Sequence, residues 1–321
     1  MSKHHNHHDH DHGHDHHHGH GHHHHHHHPA PDGSNRAFAL AVGLNAMFVV
    51  IEFAYGFIAN STALMADAGH NLSDVLGLLL AWGAAVLAKS APNGRYTYGL
   101  RSSSILAALG NSLLLMVACG AIALEAVHRF SQPAPVAGAT VSIVAAVGVL
   151  VNGFSAWLFM SGSKDDLNVR GAYQHMAADA AISLGVVISG MVIMYTGWTW
   201  LDPLVSLLIV LMILAGTWSL LRESVQLMMA AVPAGVDAER VSKFLVERPG
   251  VSEVHDLHIW AISTTENALT AHVVMPGGYP GDKVIDEMVD QLRSDFSIHH
   301  CTLQVEEGTT DHGCVLHAPA Q

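Results

Sequence analysis

The sequence predicts an all-α bundle of six membrane-crossing helices followed by a small α+β domain, and three observations carry that prediction. Hydrophobic residues make up 50% of the 321, charged residues only 13%, and mean hydropathy is +0.29, which is too apolar and too charge-poor for an ordinary soluble protein. Six apolar segments follow one another, each long enough to cross roughly 30 Å of hydrocarbon. After Pro233-Ala234-Gly235 the composition changes to that of a soluble domain.

The chain divides into four parts. Residues 1–33 are a histidine-rich tail with no apolar segment, expected to be disordered. The run from His22 to His28 would suit an expression tag, but the interspersed Asp9, Asp11, Gly13 and Asp15 fit a natural metal-gathering tail better. Residues 34–232 hold the spans, at about 37–58, 63–88, 105–127, 136–160, 172–195 and 201–221. Six spans put both ends of the bundle on one side. Arg36, Lys89, Arg95, Arg101, Lys164, Arg170 and Arg222 all fall on that side and essentially only Arg129 on the other, so the positive-inside rule makes it cytoplasmic. Residues 233–310 read as helix (236–248), strand (253–262), strand (268–275), helix (281–296) and strand (301–305), an α-β-β-α-β order with helices on one face of a sheet. Residues 311–321 form a C-terminal tail.

The formal charge of −13 comes from 27 acidic against 14 basic residues, with 28 histidines besides, and offers no nucleic-acid surface. Cys119, Cys301 and Cys314 make no disulfide framework, which fits a reducing compartment for the soluble part.

The chemistry concentrates in His70-Asn71-Leu72-Ser73-Asp74 and its echo His175-Met176-Ala177-Ala178-Asp179. Each copy puts a histidine and an aspartate four residues apart in a span, so on a helix both lie on one face, a turn apart. An Asp at bilayer depth costs at least roughly 2.5 kcal/mol, so such residues face the bundle interior and mark an ion or proton path. Two such helices facing each other offer two imidazole nitrogens and two carboxylates, a tetrahedral set suited to zinc, with cadmium and cobalt as secondary cargo. The plainer alternative is that each pair merely bonds neighbouring helices, but four ionisable groups are far more than packing requires.

Other polar residues in the spans read differently. Asp67, three residues before His70, admits two readings: an acceptor orienting the His70 ring, or a residue near the start of its helix favoured by the dipole. Asn45 and Glu52 share a face turned to a polar interior, Glu52 as a proton carrier or, the reading preferred, a structural partner for a polar neighbour. Asn111, Asn152 and Cys119 serve interhelical packing, and His128 is a solvated residue at the far interface. In the soluble domain, strict alternation puts His258 on one face with Asp256 and Trp260, and His255 on the other with Leu257 and Ile259. His255, His272 and Glu306 form a candidate regulatory zinc site, against the alternative of polar residues at a sheet surface or dimer contact. Cys301 and Cys314 are further candidate ligands that spacing alone does not bring together.

Over residues 34–310 the chain resembles the cation diffusion facilitators of the zinc and cobalt-zinc-cadmium efflux type. The resemblance rests on Ala66-Asp67-Ala68-Gly69-His70 with Asp74, on Gly171-Ala172-Tyr173 leading into His175 with Asp179, and on Val254-His255-Asp256-Leu257-His258-Ile259-Trp260. It implies that His70, Asp74, His175 and Asp179 are the transport site. It also implies a homodimer, a cytoplasmic domain of metallochaperone-like (ferredoxin-like) fold, and exchange of a divalent metal for protons by alternating access. The loop 92–98 carries no histidine, so the extra zinc site that some members of the family carry there is not expected, and the loop 161–169 has no histidine-rich insertion, the histidines being N-terminal instead, which points to a bacterial inner membrane. The expected function is zinc efflux by proton antiport, with zinc as cargo and regulator and no cofactor. The alternative from another class is a membrane-anchored zinc sensor or buffer. An intramembrane zinc protease would need His-Glu-x-x-His, yet Asn71 follows His70 and Met176 follows His175.

Overall fold

The computed structural model describes residues 35–160 and 167–309, so the histidine tract and Cys314 lie outside the described residues. Six helices run in sequence: α1 (Asn35–Ile58), α2 (Thr62–Ala88), α3 (Ser103–Ser131), α4 (Gly138–Met160), α5 (Leu167–Thr196) and α6 (Leu201–Met228). Helices α2 to α6 contain five stretches long and apolar enough to cross a membrane, and α1 is apolar over the shorter Asn45–Ile58. Three helices outrun the expected spans, α5 by starting at Leu167 rather than near residue 172. α6 continues to Met228 rather than ending near residue 221, since Arg222, Glu223 and Gln226 are polar helix formers that extend it past the apolar stretch. α3 starts at Ser103 and ends at Ser131.

The bundle core joins all six helices through Phe48, Leu64, Leu115, Val141, Val186 and Val210. Outward faces carry Trp82, Val117, Leu124, Leu150, Trp157 and Trp218, an exposed apolar girdle of the kind a bilayer covers. At the end away from the soluble domain, Asp202 in the first turn of α6 reaches the start of α2. Its carboxylate accepts from the Thr62 N–H and hydroxyl, both at 2.7 Å, from the Ala63 N–H at 3.4 Å, and from the Ser61 hydroxyl. These are orphan donors of a helix N-terminus, so a charge on one helix caps another. At the same end α4 and α5 touch backbone to backbone, because Gly138 and Gly190 have no side chains to hold them apart: a Cβ on Gly138 would stand 2.6 Å from the Gly190 carbonyl oxygen.

The soluble domain follows as α7 (Ala238–Val246), β1 (Glu253–Ala261), β2 (Asn267–Val274), α8 (Asp282–Phe296) and β3 (Ile298–Glu306). The sheet order is β1-β2-β3, with β1 antiparallel and β3 parallel to the central β2. Asp237 caps α7 by accepting from the Glu239 and Arg240 N–H groups at 3.0 and 3.1 Å. Val241 and Leu245 of α7 and Met288 and Leu292 of α8 pack on Ile259, Leu269, Ala271 and Ile298, covering one sheet face and leaving the other open.

The two parts meet where the 89–102 connection turns into α3. Arg101 forms an ion pair with Glu266, the Ser102 hydroxyl donates to the Ile262 carbonyl at 3.2 Å, and the Thr264 N–H donates to the Ser104 hydroxyl at 3.0 Å. The β1–β2 turn is thereby clasped to the foot of α3.

Candidate metal centre

His70 and Asp74 leave α2 on one face, and His175 and Asp179 leave α5 on one face, as four-residue spacing demands. The helices bring all four together, and the pairing is crossed. His70 Nε2 lies 3.1 Å from Asp179 Oδ1, and His175 Nε2 lies 3.0 Å from Asp74 Oδ2. Within each helix the gap is wider, 3.9 Å for His70 to Asp74 and 3.6 Å for His175 to Asp179. The two rings stand edge to face with centroids 6.0 Å apart. One ligand atom each of His70, Asp74 and Asp179 lie within 4.8 Å of one another, spacing that a single ion could bridge.

Exposure is graded along the bundle axis. Asp74 and His175, toward the soluble domain, are 33% and 26% exposed, whereas His70 is 16% and Asp179 2%. One turn further out everything is closed: Glu52, Asp67 and Ser183 are fully buried. The four-residue cluster is open toward the soluble domain and sealed on the opposite side.

The seal is polar. Ser183 Oγ donates to Asp67 Oδ2 at 2.8 Å, and Asn71 Nδ2 donates to Glu52 Oε2 at 3.2 Å. Asp67 accepts from Ser183, and His70 Nε2 meets Asp179 across the helix pair; among the described residues no hydrogen bond joins Asp67 to the His70 ring. Asp67 itself is fully buried in the second turn of α2. Glu52 thus has a polar neighbour in Asn71. Asn45 Nδ2 approaches the Met176 sulfur at 3.6 Å. Asn152 and Cys119 are buried within the bundle, Asn111 abuts Gly77 of α2, and His128 is exposed.

A second cluster sits on the open face of the sheet. His255 Nε2 lies 3.1 Å from Glu306 Oε2, and His272 Nδ1 lies 2.8 Å from Glu306 Oε1, off the axis of a good hydrogen bond. The rings of His255 and His272 have centroids 5.0 Å apart. Strict alternation fails here. His255 pairs with His272 and His258 with Thr270, so a β-bulge puts Asp256 and Leu257 opposite one residue, with Asp256 at φ +51°. The bulge brings His255 to the same face as His258 and His272, where Asp256 Oδ1 meets His258 at 3.1 Å and Oδ2 meets His272 at 3.6 Å. Burial pushes the Glu306 carboxyl up, but hydrogen bonds from Gln304 and His255 and the imidazoles of His272 and His255 outweigh it and hold it below the usual carboxylate range. Cys301 is not part of this cluster. It pairs with Leu269 on the helix-covered face, where burial pushes its thiol up to about 12 and leaves it unsuited to ligation.

The profile of the cation efflux transmembrane domain matches residues 38–229, and that of the cation efflux protein cytoplasmic domain matches residues 233–308. The chain belongs to the cation efflux family. Among its relatives, the metal cation efflux system protein CzcD of Cupriavidus metallidurans and the zinc transporter ZitB of Escherichia coli are each 36% identical over 277 residues, covering 86% of this chain and 88% of theirs. The cadmium, cobalt and zinc/H(+)-K(+) antiporter of Bacillus subtilis is 33% identical over 270 residues, covering 83% of this chain and 86% of its own. The solved metal-bound C-terminal domain of the CzcD transporter from Cupriavidus metallidurans is 39% identical and covers 22% of this chain and 99% of that one, with a TM-score of 0.21.

This cation efflux protein is thus a multi-pass membrane transporter with a cytoplasmic C-terminal domain, not an enzyme. The open side of its four-residue cluster faces the cytoplasm. Sequence reasoning did not find Ser183 as a partner of Asp67, Asp202 as a cap or Asp256 as a bulge. Asp202 had a signal, an acid at the head of an apolar span; Ser183 and the bulge had none.

Proposed function

We propose that this chain exports zinc from the cytoplasm in exchange for protons, with His70, Asp74, His175 and Asp179 as the transport ligands. The observation that carries this reading is the crossed pairing, in which two imidazoles and two carboxylates from two helices converge inside a lipid-covered bundle. Two nitrogens and two oxygens suit zinc's tetrahedral habit, and cadmium and cobalt are secondary cargo. The names of the relatives, a zinc transporter and a cadmium, cobalt and zinc antiporter, point the same way.

Antiport follows from the donor chemistry. Each crossed His–Asp gap near 3.0 Å holds a proton, whichever atom carries it. Zinc needs the lone pairs those protons occupy, so metal and protons compete for one site. The graded exposure supports loading from the cytoplasm, and release requires the polar seal of Glu52, Asn71, Asp67 and Ser183 to open in turn. Export of a dication against 100 mV costs roughly 4.6 kcal/mol, and one returning proton supplies roughly 2.3. One proton per zinc thus falls short on voltage alone unless a pH gradient or a metal gradient makes up the rest.

In the wider reading residues 1–33 gather metal, residues 34–232 form the membrane domain, and residues 233–310 form the cytoplasmic domain through which two copies pair. His255, His272 and Glu306 take a regulatory zinc, and the protein sits in a bacterial inner membrane with both termini in the cytoplasm. The test is zinc uptake into inside-out proteoliposomes carrying a pH dye, wild type beside His175→Ala. Zinc entry coupled to proton exit, absent in the variant, is the expected result. Zinc binding without flux in the wild type would replace transport by a sensor or buffer role.

A further inference from the structure

Where the soluble domain meets the bundle lies a cavity of about 680 Å³ that the transport chemistry does not use. Its walls come from both parts: Thr97, Tyr98 and Arg101 from the connection between α2 and α3, Glu266 from the β1–β2 turn, Arg293 from α8 and His299 from β3. The volume suits a small organic ligand rather than a few waters.

The polar side chains lining it are rich in donors and offer no spare carboxylate. Glu266 is the one acid among them, and Arg101 already holds it. Arg293 has no hydrogen bond or ion pair through its side chain among the described residues, leaving its five N–H donors uncommitted. The Asn267 N–H donates to His299 Nδ1 at 3.4 Å, so the neutral ring carries its proton on Nε2, as a donor. The hydroxyls of Thr97 and Tyr98 make no hydrogen bond among the described residues and can add to the set. His300 stacks edge-on against Tyr98, with centroids 5.4 Å apart, and fixes that wall. In a chain of net charge −13 such a concentration of donors runs against the overall balance.

Spare donors with no spare carboxylate select an oxyanion, and a free guanidinium fork matches the oxygens of phosphate in particular. We propose that this junction cavity binds a phosphate-bearing group. Its place at the cytoplasmic feet of α2 and α3, where headgroups lie, makes an anionic phospholipid the source rather than free phosphate. A headgroup seated there bridges the membrane domain, through Tyr98 and Arg101, to the soluble domain, through Arg293 and His299. The inference does not depend on which metal is carried.

The test is calorimetric titration of the full chain in an uncharged detergent with dioctanoyl phosphatidylglycerol, dioctanoyl phosphatidylcholine and inorganic phosphate. Saturable binding of phosphatidylglycerol is expected, weakened roughly tenfold or more by Arg293→Gln and by His299→Gln. Lys243→Gln, which removes a charge from an exposed position elsewhere on the domain, should leave it unchanged. Inorganic phosphate binding as tightly, with the same sensitivity to Arg293→Gln, would keep the site and make soluble phosphate compounds its source. Equal affinity for phosphatidylcholine would overturn the proposal. So would binding indifferent to both variants, each first checked for native helix content by circular dichroism.

Discussion

His70 lies nearer to Asp179 on the facing helix than to Asp74 on its own, 3.1 Å against 3.9 Å. Each ligand is thus held by the other helix, and anything that separates α2 from α5 pulls all four apart together. Removing Asp179 leaves His70 without its bonded partner and a metal without one of its donors. Asp179→Ala should abolish zinc uptake into proteoliposomes and lower equilibrium zinc affinity by more than roughly 100-fold, the upper range for losing a mere outer-shell partner. The variant should still insert. Retained flux would remove Asp179 from the site.

Asp202 caps a helix other than its own. Asp202→Ala strands the Thr62 and Ala63 N–H groups and two hydroxyls in a buried place. A loss of about 1–3 kcal/mol is expected, seen as a lower apparent melting temperature in detergent. An unchanged melt would show that water or backbone motion satisfies these donors.

Gly190 sets how closely α4 and α5 approach at the outer end. A Cβ there would stand 2.5 Å from Ser142 Oγ and 2.9 Å from the Gly138 carbonyl oxygen. Gly190→Ala should destabilise the sealed state by about 1–3 kcal/mol. Hydroxyl-radical labelling of Met194 and of residues around Ser183 should rise in the variant, and unaltered labelling would count against a role for this seam.

Glu306 gives the soluble domain a signed pH dependence. Its folded-state value lies below the ordinary one, so its stabilisation is fully present above the unfolded-state pKa of about 4.3 and is lost as pH falls through the lower folded value. Glu306→Gln should flatten the fall in the denaturant midpoint below about pH 4.3, followed through fluorotryptophan at Trp260 in the full chain. A wild-type profile that does not fall over that range would contradict the assignment.

Deleting residues 1–28 should leave the maximal zinc flux unchanged and lower flux at scarce cytoplasmic zinc. Complete loss of flux on deletion would make the tail part of the transport machinery.

Local pattern decided what the sequence could decide. Apolar runs gave the helices, because a bilayer demands about 20 apolar residues whatever surrounds them. Four-residue spacing put His70 with Asp74 and His175 with Asp179 on single helix faces, because helical geometry is the same in any fold. Period-two patterning gave three strands, two with nearly their observed bounds, whereas β3 begins at Ile298 rather than at residue 301.

Tertiary structure decided whatever depended on two elements meeting. The crossed His–Asp bonds, the hold of Ser183 on Asp67 and the cap that Asp202 places on α2 join residues more than 100 positions apart, and spacing along a chain does not encode such distances. The bulge at Asp256 is a backbone choice that reverses the facing of His255, and strict alternation has no means of foreseeing it. The junction cavity belongs to the same class, since its two arginines come from separate domains and acquire a common purpose only where those domains touch.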